Sequence, residues 1–598
     1  MPGPNRNVVQ KPKNLKRSAG QFLKSLGSYK WSFLVICILA AIATALTIFG
    51  PKILGSMTTS AVESLSNTGQ IDWQPIVSAL ISLIVLYVAS AIISYIEGFI
   101  QSIVSARYAK KLRESILIKI SKLPMSYFDK VKYGDTLSRM TNDIDTITTS
   151  LNQSLTEIIT SITLVIGILI MMLSISGPLS LIAIVSVPIS LIFVGGIMGR
   201  AQKYFRTSRT ALGTVSSTIE EDYTGQSIIK SNSHGKKSYD EFSRENERLY
   251  KATWKAQFFG SLAFPVVHIF TNLSYILICI VGGLEAIKGT ITIGNVQAFI
   301  QYVNQFNRPI TQVASIAATV QQTLAAAERV FDFLELPENT PDPNPAHALK
   351  NIKGAVEFHD VNFSYDKVKP IIKNFSAKIT PGSQVAIVGP TGAGKTTIVN
   401  LLMRFYDPDS GYITIDGIPT TEITRGDVRK NFGMVLQDTW LFSGTIYENL
   451  RYGRPDATLD EIKKSAKIAG IDHFIEALPH GYHAKIDEDS DNISAGEKQL
   501  LTIARAMIAD PPMIILDEAT SNVDTRTEQL VQAAFDKLTH GRTSFVIAHR
   551  LSTIRNADLI LVMKDGNIIE QGNHAELLKK NGFYAELYNS QFSETAAN

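Results

Sequence analysis

The chain has few cysteines and few charged residues for its length. Its 598 residues include two cysteines, and 19% are Asp, Glu, Lys or Arg, below the roughly 25% that soluble domains carry. Cys37 and Cys279 both lie in apolar runs, so we expect neither a disulfide nor a metal site. The first thirty residues are polar and basic without a cleavable apolar core, which argues against a signal peptide. The net charge of +4 gives no reason to expect a nucleic-acid partner.

Long apolar runs fill the first half of the chain. Six of them approach or exceed the ~20 residues that a membrane-spanning helix needs, and they lie at about 31–49, 76–104, 151–175, 179–198, 258–286 and 296–319. Lys and Arg are abundant before the first run and after the second, whereas the short connections after the first, third and fifth runs carry almost none. This asymmetry predicts a multi-pass protein of the cell (inner) membrane with both termini in the cytoplasm.

Two connections, between runs two and three and between runs four and five, are much longer than the others. Both have the periodicity of amphipathic helices, so we interpret them as cytoplasmic extensions of the membrane helices. A short turn should join each pair of extensions, near Pro124–Gly134 and near Glu221–Ile228. These turns lie far enough from the membrane to contact a soluble domain.

The sixth run is less apolar than a lipid-facing helix. Aromatic residues (Phe299, Tyr302, Phe306) alternate in it with polar ones (Gln297, Gln301, Asn304, Gln305, Asn307, Arg308). Such polar groups would cost several kcal/mol in hydrocarbon, so they should face protein or water. We favour a helix that lines a substrate pathway, and hydrogen bonding between helices is the alternative. Glu97 and His268 are weaker candidates for the same lining, with the same alternative.

A glycine-rich loop in the second half of the chain has the pattern of a P-loop, G-x-x-x-x-G-K-[ST]. It follows a strand-like apolar run, 385–388, and precedes a helical one, which is the order that this motif requires. The backbone N–H groups of such a loop and the helix N-terminus bind a phosphate chain. We therefore predict that ATP is bound by Gly389, Pro390, Thr391, Gly392, Ala393, Gly394, Lys395, Thr396 and Thr397. Lys395 should reach the β- and γ-phosphates, and the Thr396 hydroxyl should hold Mg²⁺.

A second nucleotide motif is the apolar strand Met513-Ile-Ile-Leu-Asp517, which is followed by Glu518. A buried strand of this kind ends at the sheet edge beside a P-loop. Asp517 should hold Mg²⁺ through water, and Glu518 should polarise the water that attacks the γ-phosphate.

Between the two nucleotide motifs lies Asn492-Ile-Ser-Ala-Gly-Glu497, directly before a helical run. This segment resembles the signature motif of ABC transporters, whose usual form is Leu-Ser-Gly-Gly-Gln. With six apolar runs ahead of the nucleotide motifs, residues 20 to 585 or so resemble an ABC exporter half-transporter. The resemblance implies a multidomain fold: an all-α six-helix transmembrane domain followed by an α/β P-loop ABC nucleotide-binding domain. The expected segments are a cytoplasmic N-terminus (1–30), the transmembrane domain (31–332), a proline-rich linker (333–354) and the nucleotide-binding domain (355–598).

The resemblance also implies roles for single residues. Tyr365 would stack on adenine, and His549 would contact the γ-phosphate and hold the attacking water. Gln437 would lie in the loop that faces the membrane domain, among the catalytic and Mg²⁺-binding residues. Two nucleotide domains would pack head to tail, so that the signature Ser494, Ala495, Gly496 and Glu497 of one chain completes the ATP site of the other. The turn near Glu221–Ile228 would reach the partner's nucleotide domain.

The implied function is ATP-driven export of hydrophobic or amphipathic compounds, drugs or lipids, by alternating access. An ATP-gated channel or a regulatory membrane protein of the same architecture is the alternative. Two signature positions depart from the family pattern, Ala495 in place of glycine and Glu497 in place of glutamine. A methyl group limits close approach of the backbone to phosphate, and a carboxylate repels it. We therefore expect a heterodimer with a second half-transporter, and a homodimer is the alternative.

Overall fold

The computed structural model describes residues 14–349, 351–366, 369–436, 439–486, 493–517, 525–547 and 554–592. Its contacts divide the chain into two compact units. The first comprises the described residues up to Ser121 together with Tyr133–Leu336, and the second comprises Lys122–Lys132 together with the described residues from Pro337 onward. The second unit is therefore discontinuous in sequence, because it includes a short segment that lies between two membrane helices.

The first unit is built from helices. In chain order the helices of this half are α1 Leu15–Ser25, α2 Lys30–Ile48, α3 Gly50–Thr68, α4 Trp73–Lys122, α5 Met125–Lys130 (in the second unit), α6 Tyr133–Ser138, α7 Ile144–Ile175, α8 Gly177–Thr224, α9 Gln226–Ser231, α10 Gly235–Ser261, α11 Ala263–Ile287 and α12 Ile293–Leu334. The short helices α5 and α9 lie at the two predicted cytoplasmic turns. One π-helical turn, Arg139–Asp143, precedes α7.

Within the described residues, five helical stretches are long and apolar enough to cross a membrane: Leu15–Thr68, Trp73–Lys122, Tyr133–Ile175, Gly177–Thr224 and Gly235–Ile287. They contain the first five predicted apolar runs. The sixth predicted run lies on α12, a helix of 42 residues that is outside these five because its amide side chains lower its hydropathy. The first unit is thus a helical membrane part, as predicted.

The polar residues of α12 pack against other helices. The Thr58 hydroxyl donates to the Gln297 amide oxygen at 2.5 Å, and the Tyr302 hydroxyl donates to the carbonyl of Ile48 at 2.9 Å. Phe299 and Tyr302 are buried in an apolar core with residues of α7, α8 and α11. Our preferred interpretation, a pathway-lining face that includes the aromatics, is therefore wrong for Phe299, Tyr302 and Phe306, because each is buried in this core within its own unit. The alternative, hydrogen bonding between helices, describes Gln297 and Tyr302.

The other polar residues of the runs differ in exposure. Glu97 is buried and accepts a hydrogen bond of 2.7 Å from the Thr156 hydroxyl on α7, again between helices. His268 and Asn304 are exposed, and Gln301 and Gln305 are half-buried. The side chains of Asn307 and Arg308 lie outside the described part of the chain.

α3 and α12 approach each other closely at a pair of glycines. A Cβ added to Gly294 would lie 1.8 Å from the carbonyl oxygen of Gly55. The Thr59 hydroxyl donates to that of Thr292 at 2.9 Å beside this contact. We call this the glycine seam, defined by Gly55, Thr58, Thr59, Thr292 and Gly294. Only a residue without a side chain lets the two backbones approach this far.

A two-layer arrangement of sheets forms the second unit. A six-stranded sheet has the order β12-β11-β3-β10-β9-β6, parallel except for β12, and an antiparallel sheet has the order β2-β1-β4-β5. The strands are β1 Val356–Phe363, β2 Ile372–Ile379, β3 Gln384–Val388, β4 Ser410–Ile415, β5 Ile418–Pro419, β6 Phe432–Val435, β7 Gly444–Thr445, β8 Lys485–Ile486, β9 Met513–Asp517, β10 Thr543–Ile547, β11 Leu559–Lys564 and β12 Asn567–Gly572. The strands β3, β9, β10 and β11 are near-continuous apolar runs, which are typical of a parallel sheet that is covered on both faces.

Besides α5, the helices in the described residues of this unit are α13 Lys395–Leu402, α14 Arg425–Lys430, α15 Ile446–Arg451, α16 Leu459–Ala469, α17 Asp472–Ala477, α18 Ala495–Ala509, α19 Thr525–Thr539, α20 His574–Lys580 and α21 Phe583–Phe592. One apolar core lies between the two sheets and around α13. A second core joins α15, α16, α17 and α18 to β6, β9 and β10. The two cores place the P-loop and the signature segment on different parts of one unit.

Candidate nucleotide site

The P-loop joins β3 to α13. Gly389 has φ +155°, and a Cβ on it would lie 2.3 Å from the carbonyl oxygen of Met563 on β11. Gly394 has φ +100°, and a Cβ there would lie 2.7 Å from the Ile372 side chain. Side chains are therefore excluded at both positions by backbone conformation and by space. The loop ends in the N-terminus of α13, whose backbone N–H groups suit a phosphate.

Lys395, the first residue of α13, folds back over this loop. Its Nζ donates to the carbonyl oxygens of Gly389 at 2.7 Å and Pro390 at 3.1 Å. Burial lowers the pKa of this ammonium, and the nearby charge of Asp517 opposes the shift. Asp517 ends β9, which lies beside β10, and β10 lies beside β3. The parallel order of these strands thus brings the P-loop lysine and the predicted Mg²⁺ ligand to one sheet edge.

The two threonines after Lys395 differ in exposure. Thr396 is exposed, so a metal ion can reach it. Thr397 is buried, and its Oγ1 accepts a hydrogen bond of 3.3 Å from the Tyr365 hydroxyl. Asn400 on the same helix donates to the Tyr365 hydroxyl at 3.1 Å. The aromatic ring predicted to stack on adenine is therefore attached to the helix that follows the P-loop.

The signature segment begins α18. Ser494 is the N-cap, and Glu497 forms a capping box with it: the carboxylate accepts from the Ser494 hydroxyl at 2.8 Å and from its backbone N–H at 2.9 Å. The Glu497 N–H in turn donates to the Ser494 hydroxyl at 3.3 Å. Ser494 and Ala495 are exposed, and Gly496 is buried. The pattern S-x-x-E before an apolar run is a sequence signal for this cap, which the sequence analysis did not use when it considered the repulsion between Glu497 and phosphate.

Comparison with known proteins identifies the family. The family model described as ABC transporter transmembrane region matches residues 33–310, and the one described as ABC transporter matches residues 372–521. A fatty acid ABC transporter ATP-binding/permease protein of Mycobacterium bovis is 46% identical over 517 residues, 86% of this chain and 82% of that protein. The chain belongs to the ABC transporter family.

Further ABC transporters match over most of their length. An uncharacterized ABC transporter ATP-binding protein of Bacillus subtilis is 38% identical over 584 residues, 98% of this chain and 96% of its own. An ATP-dependent lipid A-core flippase of Saccharophagus degradans is 37% identical over 523 residues, 86% of this chain and 87% of its own. The protein is thus an ABC exporter half-transporter and an integral membrane ATPase, and the predicted fold class and ATPase activity are confirmed.

Three of the predicted site residues, Gln437, Glu518 and His549, lie outside the part of the ABC transporter chain that the structure describes. Their roles stay predictions. The described P-loop residues, Asp517 and Tyr365 all belong to the second unit, as does the signature segment.

Two groups near these motifs were missed by sequence reasoning. Arg505 on α18 donates to the backbone carbonyl of Asn449 at 2.9 Å and lies against the rings of Phe442 and Tyr452, each 5.8 Å away. Burial lowers the pKa of its guanidinium. It lines a groove of about 230 Å³ whose other walls include Met434, Leu436, Trp440 and Thr502. A solitary Arg in a helix gives no sequence signal for such a groove.

The second missed residue is Tyr406. Its ring lies edge-on to that of Tyr365, with centroids 5.0 Å apart and an interplanar angle of 88°. Its hydroxyl is hydrogen-bonded to the carboxylate of Asp129 on α5. Burial and this hydrogen bond raise the pKa of the Tyr406 phenol above its ordinary value. Asp129 and Tyr406 are far apart in sequence, and no local pattern could have paired them.

Proposed function

We propose that this half-transporter exports lipid-like or other amphipathic compounds across the cell (inner) membrane by alternating access that is driven by ATP. The proposal rests on one observation: a helical membrane part and a P-loop part lie on one chain. The relatives of this chain include a fatty acid transporter and a lipid A-core flippase. An amphipathic substrate also agrees with the membrane helices, where Glu97 is hydrogen-bonded to Thr156 rather than open to a pathway. Both termini lie in the cytoplasm in this proposal.

ATP would bind with its adenine on Tyr365 and its phosphates in the P-loop, where Lys395 exchanges its two carbonyl partners for phosphate oxygens. Thr396 and Asp517 offer the exposed hydroxyl and the carboxylate that Mg²⁺ prefers, and Gln437 would complete this set. The ion would neutralise charge that develops on the phosphates. Glu518 and His549 would position the attacking water.

A second half-transporter completes each ATP site in this proposal. The signature Ser494, Ala495, Gly496 and Glu497 of this chain faces the partner's ATP, and the partner's signature faces the P-loop of this chain. The groove beside Arg505 would receive the partner's helix that corresponds to α9. Ile228 on α9 of this chain is 67% exposed, and an apolar groove on a partner would bury such a side chain. Domain closure on ATP would then change the arrangement of the membrane helices.

We further propose that the partner is a different chain. In this structure the Ser494 hydroxyl donates to Glu497, and the carboxylate would oppose a γ-phosphate at the same helix N-terminus. In a heterodimer this defect affects one site only. The other site pairs the P-loop of this chain with the partner's own signature, and it would be the site that hydrolyses ATP.

The test is purification of the chain, alone and with a co-expressed second half-transporter, in proteoliposomes. ATPase activity is measured with fatty acids, phospholipids and hydrophobic cations, together with movement of the stimulating compound. Stimulation and transport by a lipid support the proposal. ATP-dependent ion current without substrate-stimulated ATPase would instead identify a channel, and full activity of the chain alone would overturn the heterodimer.

Glu518→Gln separates binding from hydrolysis in the same preparation. The neutral amide keeps the size of the side chain but does not hold the attacking water as the carboxylate does. We expect retained ATP binding, a trapped nucleotide-domain dimer and near-complete loss of turnover. Turnover close to wild type would remove Glu518 from the catalytic role.

A further inference from the structure

We propose that Tyr406 is a positioning residue that links adenine stacking at Tyr365 to the cytoplasmic helix α5 through Asp129. It would make α5 respond to the base of the nucleotide, separately from any response to the phosphates. All the residues that carry this inference, including α5, lie within the second unit.

Tyr365 and Tyr406 are in direct contact. Tyr365 is 37% exposed as a residue, so part of it is open to a base. Its hydroxyl is held by Thr397 and Asn400 of α13. Tyr406 packs edge-on against it at 5.0 Å, a geometry in which the partly positive ring edge meets the negative face. A base that stacks on Tyr365 therefore acts on a ring whose other contacts are fixed.

Tyr406 is held in place through both of its neighbours in the chain. The next residue, Asp407, accepts from the Arg404 Nε at 2.9 Å and from an Arg425 nitrogen at 2.7 Å. The preceding residue, Phe405, lies under the Arg429 guanidinium at 5.1 Å. Because both neighbours are anchored, Tyr406 cannot easily move as a whole. A shift of Tyr365 is then expressed in the tilt of the Tyr406 ring and in the position of its hydroxyl.

The helix α5 is attached to the rest of the second unit near both of its ends. Asp129, near the end of this helix, is bonded to the Tyr406 hydroxyl. At the other end, Asn339 donates its backbone N–H to the carbonyl of Lys122 at 2.9 Å and its side-chain amide to that of Leu123 at 3.2 Å. The start of α5 is thus clamped to the residues after the membrane helices, while its end is held by Tyr406. Movement of the Tyr406 hydroxyl would rotate α5 about the fixed end.

The experiment uses the full-length protein with Cys37→Ser and Cys279→Ser, so that neither native cysteine reacts. Lys130→Cys then introduces one cysteine on α5, which is labelled with an environment-sensitive fluorophore. The response is measured with Mg²⁺ and saturating ATP, and with Mg²⁺ and saturating inorganic tripolyphosphate, which has the phosphates without a base. In the parent protein we expect a response to ATP at least twice that to tripolyphosphate. Asp129→Asn and Tyr406→Phe should reduce the ATP response to the tripolyphosphate level.

Two further measurements separate positioning from folding or from loss of binding. Asp129→Asn and Tyr412→Phe, a control on the β4 surface, should bind ATP with a Kd within twofold of the parent. Tyr412→Phe should also keep the full ATP response. Equal responses to ATP and tripolyphosphate in the parent, or an ATP response of Asp129→Asn and Tyr406→Phe equal to that of the parent, would overturn the proposal. The assay contains no transport substrate, so its failure leaves the proposed function untouched.

Discussion

The carboxylate of Glu497 accepts hydrogen bonds from both the hydroxyl and the backbone N–H of Ser494, at 2.8 and 2.9 Å. The signature segment of this chain is therefore already capped by an internal anion before any nucleotide approaches. A helix N-terminus that holds one negative charge is a weaker site for a second.

Glu497→Gln should raise the ATPase activity of the chain expressed alone by several-fold. Glutamine also forms a capping box, so the helix start is kept while the negative charge is removed. The matched control is Glu576→Gln, which removes a carboxylate from the capping box of Asn573 on α20. Activity of Glu497→Gln no higher than that of the control would mean that the signature charge does not limit this site.

As the pH rises, ATP affinity should begin to decline at a lower pH than it would with a lysine of ordinary pKa. Burial lowers the pKa of Lys395 from the usual ~10.4, so its charged form is lost sooner as pH rises. The measurement is the Kd for ATP from neutral pH to about pH 10. Lys395→Arg should bind ATP more weakly but with little pH dependence, because arginine stays charged throughout. Parallel pH profiles for the two proteins would exclude Lys395 as the titrating group.

Gly294→Ala should lower the stability of the membrane part by about 1–3 kcal/mol, the usual cost of overpacking. The added methyl group would meet the carbonyl of Gly55 at 1.8 Å. Gly213→Ala on α8 is the control, because nothing lies within 4 Å of its Cβ position and alanine favours a helix by ~0.5–1 kcal/mol. Thermal unfolding in detergent compares them. Equal shifts in the unfolding temperature of both variants would show that the glycine seam accommodates a methyl group without loss of stability.

The Asp143–Arg329 pair should contribute more than an exposed ion pair. Two guanidinium nitrogens of Arg329 bond the buried Asp143 carboxylate at 2.5 and 2.9 Å. A double-mutant cycle with Asp143→Asn and Arg329→Gln should give a coupling energy of about 1–3 kcal/mol. The exposed pair Arg113–Asp145, 2.6 Å apart, serves as the control at ~0.2–1 kcal/mol. The assignment fails if the two cycles give the same value.

Sequence reasoning predicted the features that depend on local patterns. The strand, loop and helix around Lys395, the helical membrane part and the positions of the two cytoplasmic turns each follow from patterns of residues that are near one another in the chain. It did not predict the positions of Phe299 and Tyr302, because aromatic residues between amides look alike whether they face a pathway or a core. Arg505 and Tyr406 were missed for a different reason, which they share. The residues that each one contacts are distant in sequence, and only the fold brings them together.

The hydrogen bond between Asp129 and Tyr406 joins residues 277 positions apart in the chain. At a synthesis rate of ~5–20 residues per second, a ribosome takes roughly 14–55 s to make Tyr406 after Asp129. Throughout that interval Asp129 of α5 has been made and Tyr406 has not. The helices from α6 to α13 are synthesised in the meantime, so the end of α5 lacks its partner while most of the membrane part is being made.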